Sequence, residues 1–132
     1  MKGCDRMRRH LRWLLYCQKI VEKSNSHYYK HVAILVRHGS LFKVGFNKYK
    51  SGYVKNKLYV ERGIHAELDL LCKIDPDDLK NAILYTMGQT HAGKLVKGKP
   101  CPICQQLISQ YPIKAIYYFD ENMKVCQLEN CS

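Results

Sequence analysis

The sequence predicts an α/β fold, with elements in the order α-β-β-α-β-α-β-β layered as a two- or three-layer sandwich around a mixed sheet. Three observations predict it. Apolar residues recur at helical spacing in three separate stretches. Short runs rich in β-branched and aromatic residues stand between and after them. The turns joining the first two and the last two strands are so short that each pair must be an antiparallel hairpin. A chain of 132 residues is one domain of ordinary size, here read as a single unit over 1–132. Its 46% hydrophobic, 11% aromatic and 25% charged residues make a globular composition that argues against disorder.

Met7, Leu11, Leu14, Leu15, Gln18 and Val21 fall near helical spacing, while Arg8, Arg9, Arg12 and Lys19 lie mainly off that stripe. The stretch Asp5 to Lys23 therefore reads as an amphipathic helix with a basic outer face, ended by Ser24, Asn25 and Ser26. His31 to Arg37 is a strand, His38-Gly39-Ser40 a turn, and Leu41 to Phe46 the returning strand. From Asn47 to Gly63 the chain is polar, with Lys48, Lys50, Lys55 and Lys57 interleaved with Tyr49, Tyr53 and Tyr59, a long surface loop. Ile64 to Ile74 is a short helix, broken by Asp75-Pro76-Asp77-Asp78, and Asn81 to Met87 is a strand. Gly88 to Lys99 holds three glycines and Lys94, Lys97 and Lys99, which reads as a loop or loose hairpin. Pro102 to Gln110 is helical, with proline suited to the first turn. Ile113 to Phe119 and Met123 to Leu128 are strands around the turn Asp120-Glu121-Asn122.

The charge is uneven. Residues 1–63 carry 15 Lys and Arg against 3 Asp and Glu, a net +12, whereas the remainder nets −1. A half that basic fits phosphate-bearing partners, and equally well a solvated face. The apolar stretch Leu11 to Val21 is interrupted by Arg12, Gln18 and Lys19 and falls short of the roughly 20 residues of a membrane span. No small-residue cleavage site follows it. Seven cysteines, an odd number, favour free thiols or metal ligation over a disulfide framework. The expectation is an intracellular protein of a reducing compartment, cytoplasmic or nuclear, with no membrane partner. A homo-oligomer is compatible with all of this.

Two fragments carry chemistry: His65-Ala66-Glu67 opening the second helix, and Pro100-Cys101-Pro102-Ile103-Cys104 opening the third. Together they resemble the zinc signature of the cytidine deaminase superfamily. The resemblance runs from Lys30 to Leu128, leaving the helix of residues 1–24 outside it, and includes Gly45-Phe46-Asn47 as a G-x-N strand. It implies a three-layer α/β/α sandwich with a mixed five-stranded sheet.

The spacing has its own logic. Cys101 and Cys104 share one face of a helical turn, and a helix N-terminus favours thiolate. His65 and Glu67 diverge by roughly 200° around a helix axis, so both face one metal only if that helix points its first turn at it. His65, Cys101 and Cys104 then hold one Zn²⁺ per chain and leave a fourth position for water. Glu67 is left to move protons, as the catalytic residue. The competing site is a Cys4 ribbon of Cys101, Cys104, Cys126 and Cys131, which leaves His65-Ala66-Glu67 without a purpose.

The resemblance further implies substrate contacts at Asn47, Ala66 and His31. The plainer reading of Asn47 is a strand-end turn residue, and that of His31 a strand-edge histidine. Arg8, Arg9, Arg12, Lys48, Lys50, Lys55, Lys57, Lys94, Lys97 and Lys99 are the candidate nucleic-acid contacts. The chain departs from the family at Gly88 to Lys99, where many members run almost directly from strand to Pro-Cys. Its hairpin ending is more like free cytidine deaminases and some toxin-type deaminases. Three functions compete. The leading one, favoured by the basic half and the lysine-rich loops, is deaminating cytosine to uracil in single-stranded DNA or RNA. The small size and hairpin ending favour free cytidine, deoxycytidine or their monophosphates. A non-enzymatic zinc-stabilised nucleic-acid-binding module would have no use for Glu67.

Overall fold

A computed structural model of the chain describes residues 2–24, 29–47, 66–71, 74–90, 92–96, 98–100 and 102–128, apart from the side chains of 2–7, 68 and 103. Helix α1 (Lys2–Ile20) runs into a 3-10 turn, Val21–Lys23. Its buried residues are His10, Leu14, Cys17 and Val21, a stripe only about 60° wide at 100° per residue. Leu11 and Leu15, expected on the inner face, are 37% and 40% exposed. They lie roughly 60° and 100° round from Leu14, on the side away from the stripe. His10 goes inside because the sheet accommodates it. Its Nδ1 is 2.6 Å from the Tyr85 hydroxyl, and its ring stacks on Tyr117 at 3.7 Å between centroids.

Strands β1 (Tyr29–Arg37) and β2 (Ser40–Phe46) form the first hairpin. Its turn residues, His38 and Gly39, have φ of 53° and 76°, the left-handed pair that matches strand twist in a two-residue turn. Strand β3 (Ile83–Thr90) pairs antiparallel with β1 from Tyr29 opposite Thr90 to Val36 opposite Ile83. A two-residue strand β4 (Leu95–Val96) folds back on β3. Strand β5 (Ala115–Phe119) lies parallel to β3, and β6 (Val125–Gln127) is antiparallel to β5. The order is β2-β1-β3-β5-β6, with β4 on the upper edge of β3 where β5 stops. The sheet thus has six strands where five were expected. The stretch after Met87, expected as a loop or a loose hairpin, is a hairpin: Gly88 to Thr90 extend β3 because Tyr29 to His31 offer them a ladder, and β4 returns on it. Thr90 then closes the tip, its N–H donating to Lys94 O at 2.7 Å and its Oγ1 accepting from Lys94 N at 3.0 Å.

Alternate residues of each strand face opposite layers. Val32, Ile34, Val36, Tyr85, Met87 and Phe119 pack under Leu14, Cys17 and Val21 of α1. Ala33, Leu35 and Leu84 pack on helix α2 (Ala66–Leu71) through Ala66, Leu70 and Leu71, and on helix α3 (Pro102–Ile108) through Ile108. This is the expected three-layer sandwich, α1 on one face and α2 with α3 on the other. A helix of six residues is too short to hold itself in water. Burial of Leu70 and Leu71, each about 1.5–3 kcal/mol, keeps α2 in place. Among the described residues no helix is long and apolar enough to cross a membrane.

Candidate active site

The site is built where α2 meets the end of β2. A Cβ on Gly45 would stand 2.6 Å from Ala66 O and 2.7 Å from Leu70 Cβ, so only glycine lets the helix approach this closely. Asp69, buried on α2, accepts from the Phe46 N–H at 3.1 Å and ties the two elements. The first turn of α2 is thereby fixed against the sheet with Glu67 on it. Glu67 is 6% exposed, and Cys104 on α3 is fully buried. The Cys104 thiol stands close enough to the Glu67 carboxyl to favour its charged form. Burial pushes the Glu67 carboxyl above the usual carboxylate range, opposed by that thiol and by its own backbone N–H.

Two sequence motifs more than thirty residues apart are thus brought into contact. Of the expected ligands, Cys104 stands at this point. His65 and Cys101 lie outside the described residues and directly precede α2 and α3 in the chain. A buried thiol with a carboxyl against it fits a zinc ion: the thiolate is a ligand, and the carboxylate can hold a proton beside it. Of the ribbon alternative's cysteines, Cys104 and Cys126 are described. Cys126 Sγ lies 4.0 Å from Asp120 Oδ2 and 3.6 Å from Lys124 O, at the β5–β6 turn. Cys131 lies outside the described residues.

Asn47, His31 and Ala66 gather at the same end. Ala66 is buried against Gly45. His31 follows the alternation that points Ala33 and Leu35 toward α2, and its ring covers Gly88, where a Cβ would stand 2.5 Å away. The Asn47 amide is engaged on both sides. Its Oδ1 accepts from the His31 N–H at 2.8 Å and from the Ser24 hydroxyl, and its Nδ2 donates to Tyr29 O at 2.7 Å.

The departure from the family begins and ends at one point. Thr86, which is buried, donates its hydroxyl to Gly98 O at 2.7 Å, and Gly98 N donates to Phe119 O at 2.8 Å. A Cβ on Gly98 would stand 2.9 Å from Met87 Cα. The end of β3 and β4 thus form a hairpin that starts and finishes at one place, set into the passage from β3 to α3. Lys94, near its tip, and Lys99, beside α3, are exposed.

Among the described basic candidates, the three arginines lie away from Glu67. Arg8, Arg9 and Arg12 are exposed on α1, which covers the opposite face of the sheet, and with Leu11 and Leu15 they line a shallow groove. Lys48, Lys50, Lys55, Lys57 and Lys97 lie outside the described residues, as do Tyr49, Tyr53 and Tyr59. Sequence reasoning missed Ser24, Glu22 and Asp69. Glu22 Oε1 accepts from the buried Gln89 amide at 2.6 Å, and Glu22 also pairs with Lys30 at 3.3 Å. Nothing local marks these residues, since their partners lie 8 to 67 residues away.

The model of the family described as cytidine and deoxycytidylate deaminase zinc-binding region matches residues 7–120. No curated protein sequence matches the chain. Among solved structures, the dCMP deaminase of cyanophage S-TIM5 in apo form is 24% identical, with TM-score 0.54 over 88% of this chain and 83% of its own. The same deaminase in complex with dCMP and dUMP is 26% identical, with TM-score 0.50 over 83% and 76%. The cytidine deaminase of Mycobacterium leprae is 16% identical, with TM-score 0.53 over 86% and 88%, a likeness of fold. With the three-layer sandwich and the Glu67–Cys104 contact in place, the family match over residues 7–120 means that this chain belongs to the cytidine and deoxycytidylate deaminases, zinc-dependent hydrolases that act on the amine of a nucleobase.

Proposed function

We propose that the chain deaminates the cytosine of a free nucleoside monophosphate such as deoxycytidylate, with water entering and ammonia leaving to give uracil. The observation that carries the substrate is the separation of charge from chemistry. Arg8, Arg9 and Arg12 lie on the outer side of α1, while Glu67 and Cys104 lie under α2 and α3 with the sheet between. The likeness to a deaminase solved with dCMP and dUMP supports the same reading. One exposed lysine beside α3, Lys99, is enough for one phosphate.

His65, Cys101 and Cys104 would hold the zinc. When bound, it supplies Lewis acidity, lowering the pKa of a water towards about 7. Glu67 takes a proton from the attacking water and delivers it to the ring nitrogen beside the amine-bearing carbon. It then passes a second proton to the departing amine, so ammonia leaves and the carboxylate is restored. Its burial keeps bulk water from competing for those protons. The Asn47 amide, its oxygen already committed, offers substrate an N–H.

A second reading, deamination within a single strand, draws on exposed Lys94 and Lys99 and on the net +12 of residues 1–63. The test is uracil formation by the zinc-loaded protein from deoxycytidylate, cytidine and a single-stranded oligonucleotide. Deoxycytidylate should be the best of the three. Efficient turnover of the oligonucleotide with none of deoxycytidylate would replace the first reading by the second.

A further inference from the structure

We propose that Ser24 is a positioning residue for substrate, acting through Asn47; this rests on the reading above that Asn47 touches the nucleotide. Three groups define the Asn47 amide. The His31 N–H can only donate and the Tyr29 carbonyl can only accept, so the amide has one orientation, oxygen toward His31 and nitrogen toward Tyr29. The third group is the Ser24 hydroxyl. It reaches both the main-chain oxygen of Asn47, at 2.9 Å, and the side-chain oxygen of the same residue. One hydroxyl hydrogen is therefore shared between the side-chain and main-chain oxygens of one residue, which restricts the torsions between them.

Ser24 comes from a different layer than the residues it serves. It ends the 3-10 turn after α1 and is 5% exposed, and its own N–H is held by Val21 O at 3.1 Å. Val21 is fully buried against the sheet, so the hydroxyl is presented from a rigid base. Glu22, two residues earlier, is held by Gln89 and Lys30. Among the described residues Ser24 supplies the one side chain that hydrogen-bonds the Asn47 amide. With both lone pairs of Oδ1 occupied, Asn47 meets a substrate as a donor and in one orientation. Without Ser24 the amide keeps two bonds but loses the tie to its own main chain and one acceptor contact, so it is held less firmly and part of the binding energy must order it.

Ser24→Ala and Ser24→Thr would be measured with the zinc-loaded protein on the substrate it turns over. Ser24→Ala should raise KM about tenfold and change kcat by less than about twofold, because the lost order is spent in binding. Ser24→Thr, which keeps the hydroxyl, should restore KM to within about threefold. Independently, the side-chain amide protons of Asn47 should exchange with solvent about tenfold faster in Ser24→Ala. An unchanged KM in Ser24→Ala overturns the proposal. So does a fall in kcat and melting temperature together with no rescue by threonine. If the wild type deaminates no cytosine substrate, the functional reading has failed. The exchange rate then decides alone: unchanged overturns the positioning of Asn47, faster upholds it.

Discussion

At position 45 the absence of a side chain decides how near α2 can come to the sheet. Ala66 O and Leu70 N, both backbone atoms, would be 2.6 Å and 2.8 Å from a Cβ there, so a substitution must move the helix itself. Gly45→Ala should cost about 1–3 kcal/mol in urea denaturation. It should also lower kcat, because Glu67 rides on the displaced turn. A variant of unchanged stability and activity would show that α2 does not depend on this contact. Glu67→Gln tests the chemistry directly. The exchange keeps the volume and removes the proton carrier, so zinc content by metal analysis and melting temperature should hold. Deamination should fall by about 10²- to 10⁴-fold or more. Cys126→Ser should leave zinc content unchanged, since its thiol sits at the β5–β6 turn and not at Glu67.

Among the elements, α1 shows how a polar group can anchor a helix. His10 is 7% exposed, bonded to Tyr85 and stacked on Tyr117. Burial first, and then the charge of Arg9, hold its pKa below the ordinary histidine value. The neutral ring is therefore the folded form. In the unfolded chain it takes up a proton near about pH 6.5, so below that the unfolded state binds more protons. The stability His10 contributes is present above about pH 6.5 and is lost as the pH falls below it. Denaturation midpoints between pH 7.5 and pH 5 should fall less steeply for a His10→Phe/Tyr85→Phe double variant than for the wild type. Equal slopes would remove His10 from the acid response. Tyr85→Phe alone should cost about 1–3 kcal/mol at neutral pH, the penalty of leaving a buried ring nitrogen without its partner.

Among the described residues, the arginines of α1 and the Glu67 site lie on opposite faces of the sheet. Reversing Arg8, Arg9 and Arg12 together should leave KM and kcat for deoxycytidylate within about twofold, since the sheet stands between those residues and Glu67. Binding of a single-stranded oligonucleotide would be weakened and its salt dependence flattened by about 0.7 per phosphate contact removed. Loss of deoxycytidylate turnover in that variant would mean that the outer face of α1 takes part in the reaction after all.

The element order apart from β4, both expected hairpins and the helix opened by Pro102 were legible in the sequence, because each rests on local spacing. Turn length sets hairpin pairing, apolar period sets helix or strand, and ligand chemistry limits which residue types a metal accepts. What only the tertiary structure decided is contact across layers. It put His10 inside and Leu11 outside, because Tyr85 lies opposite one and solvent opposite the other. It turned part of the stretch after Met87 into strand, because Tyr29 to His31 had unpaired backbone to offer. It placed Ser24, to local reading only the end of a helix, on the amide of Asn47. A residue's neighbours along the chain fix its backbone, but its burial and its hydrogen-bond partners are set by whatever the fold brings against it from far away.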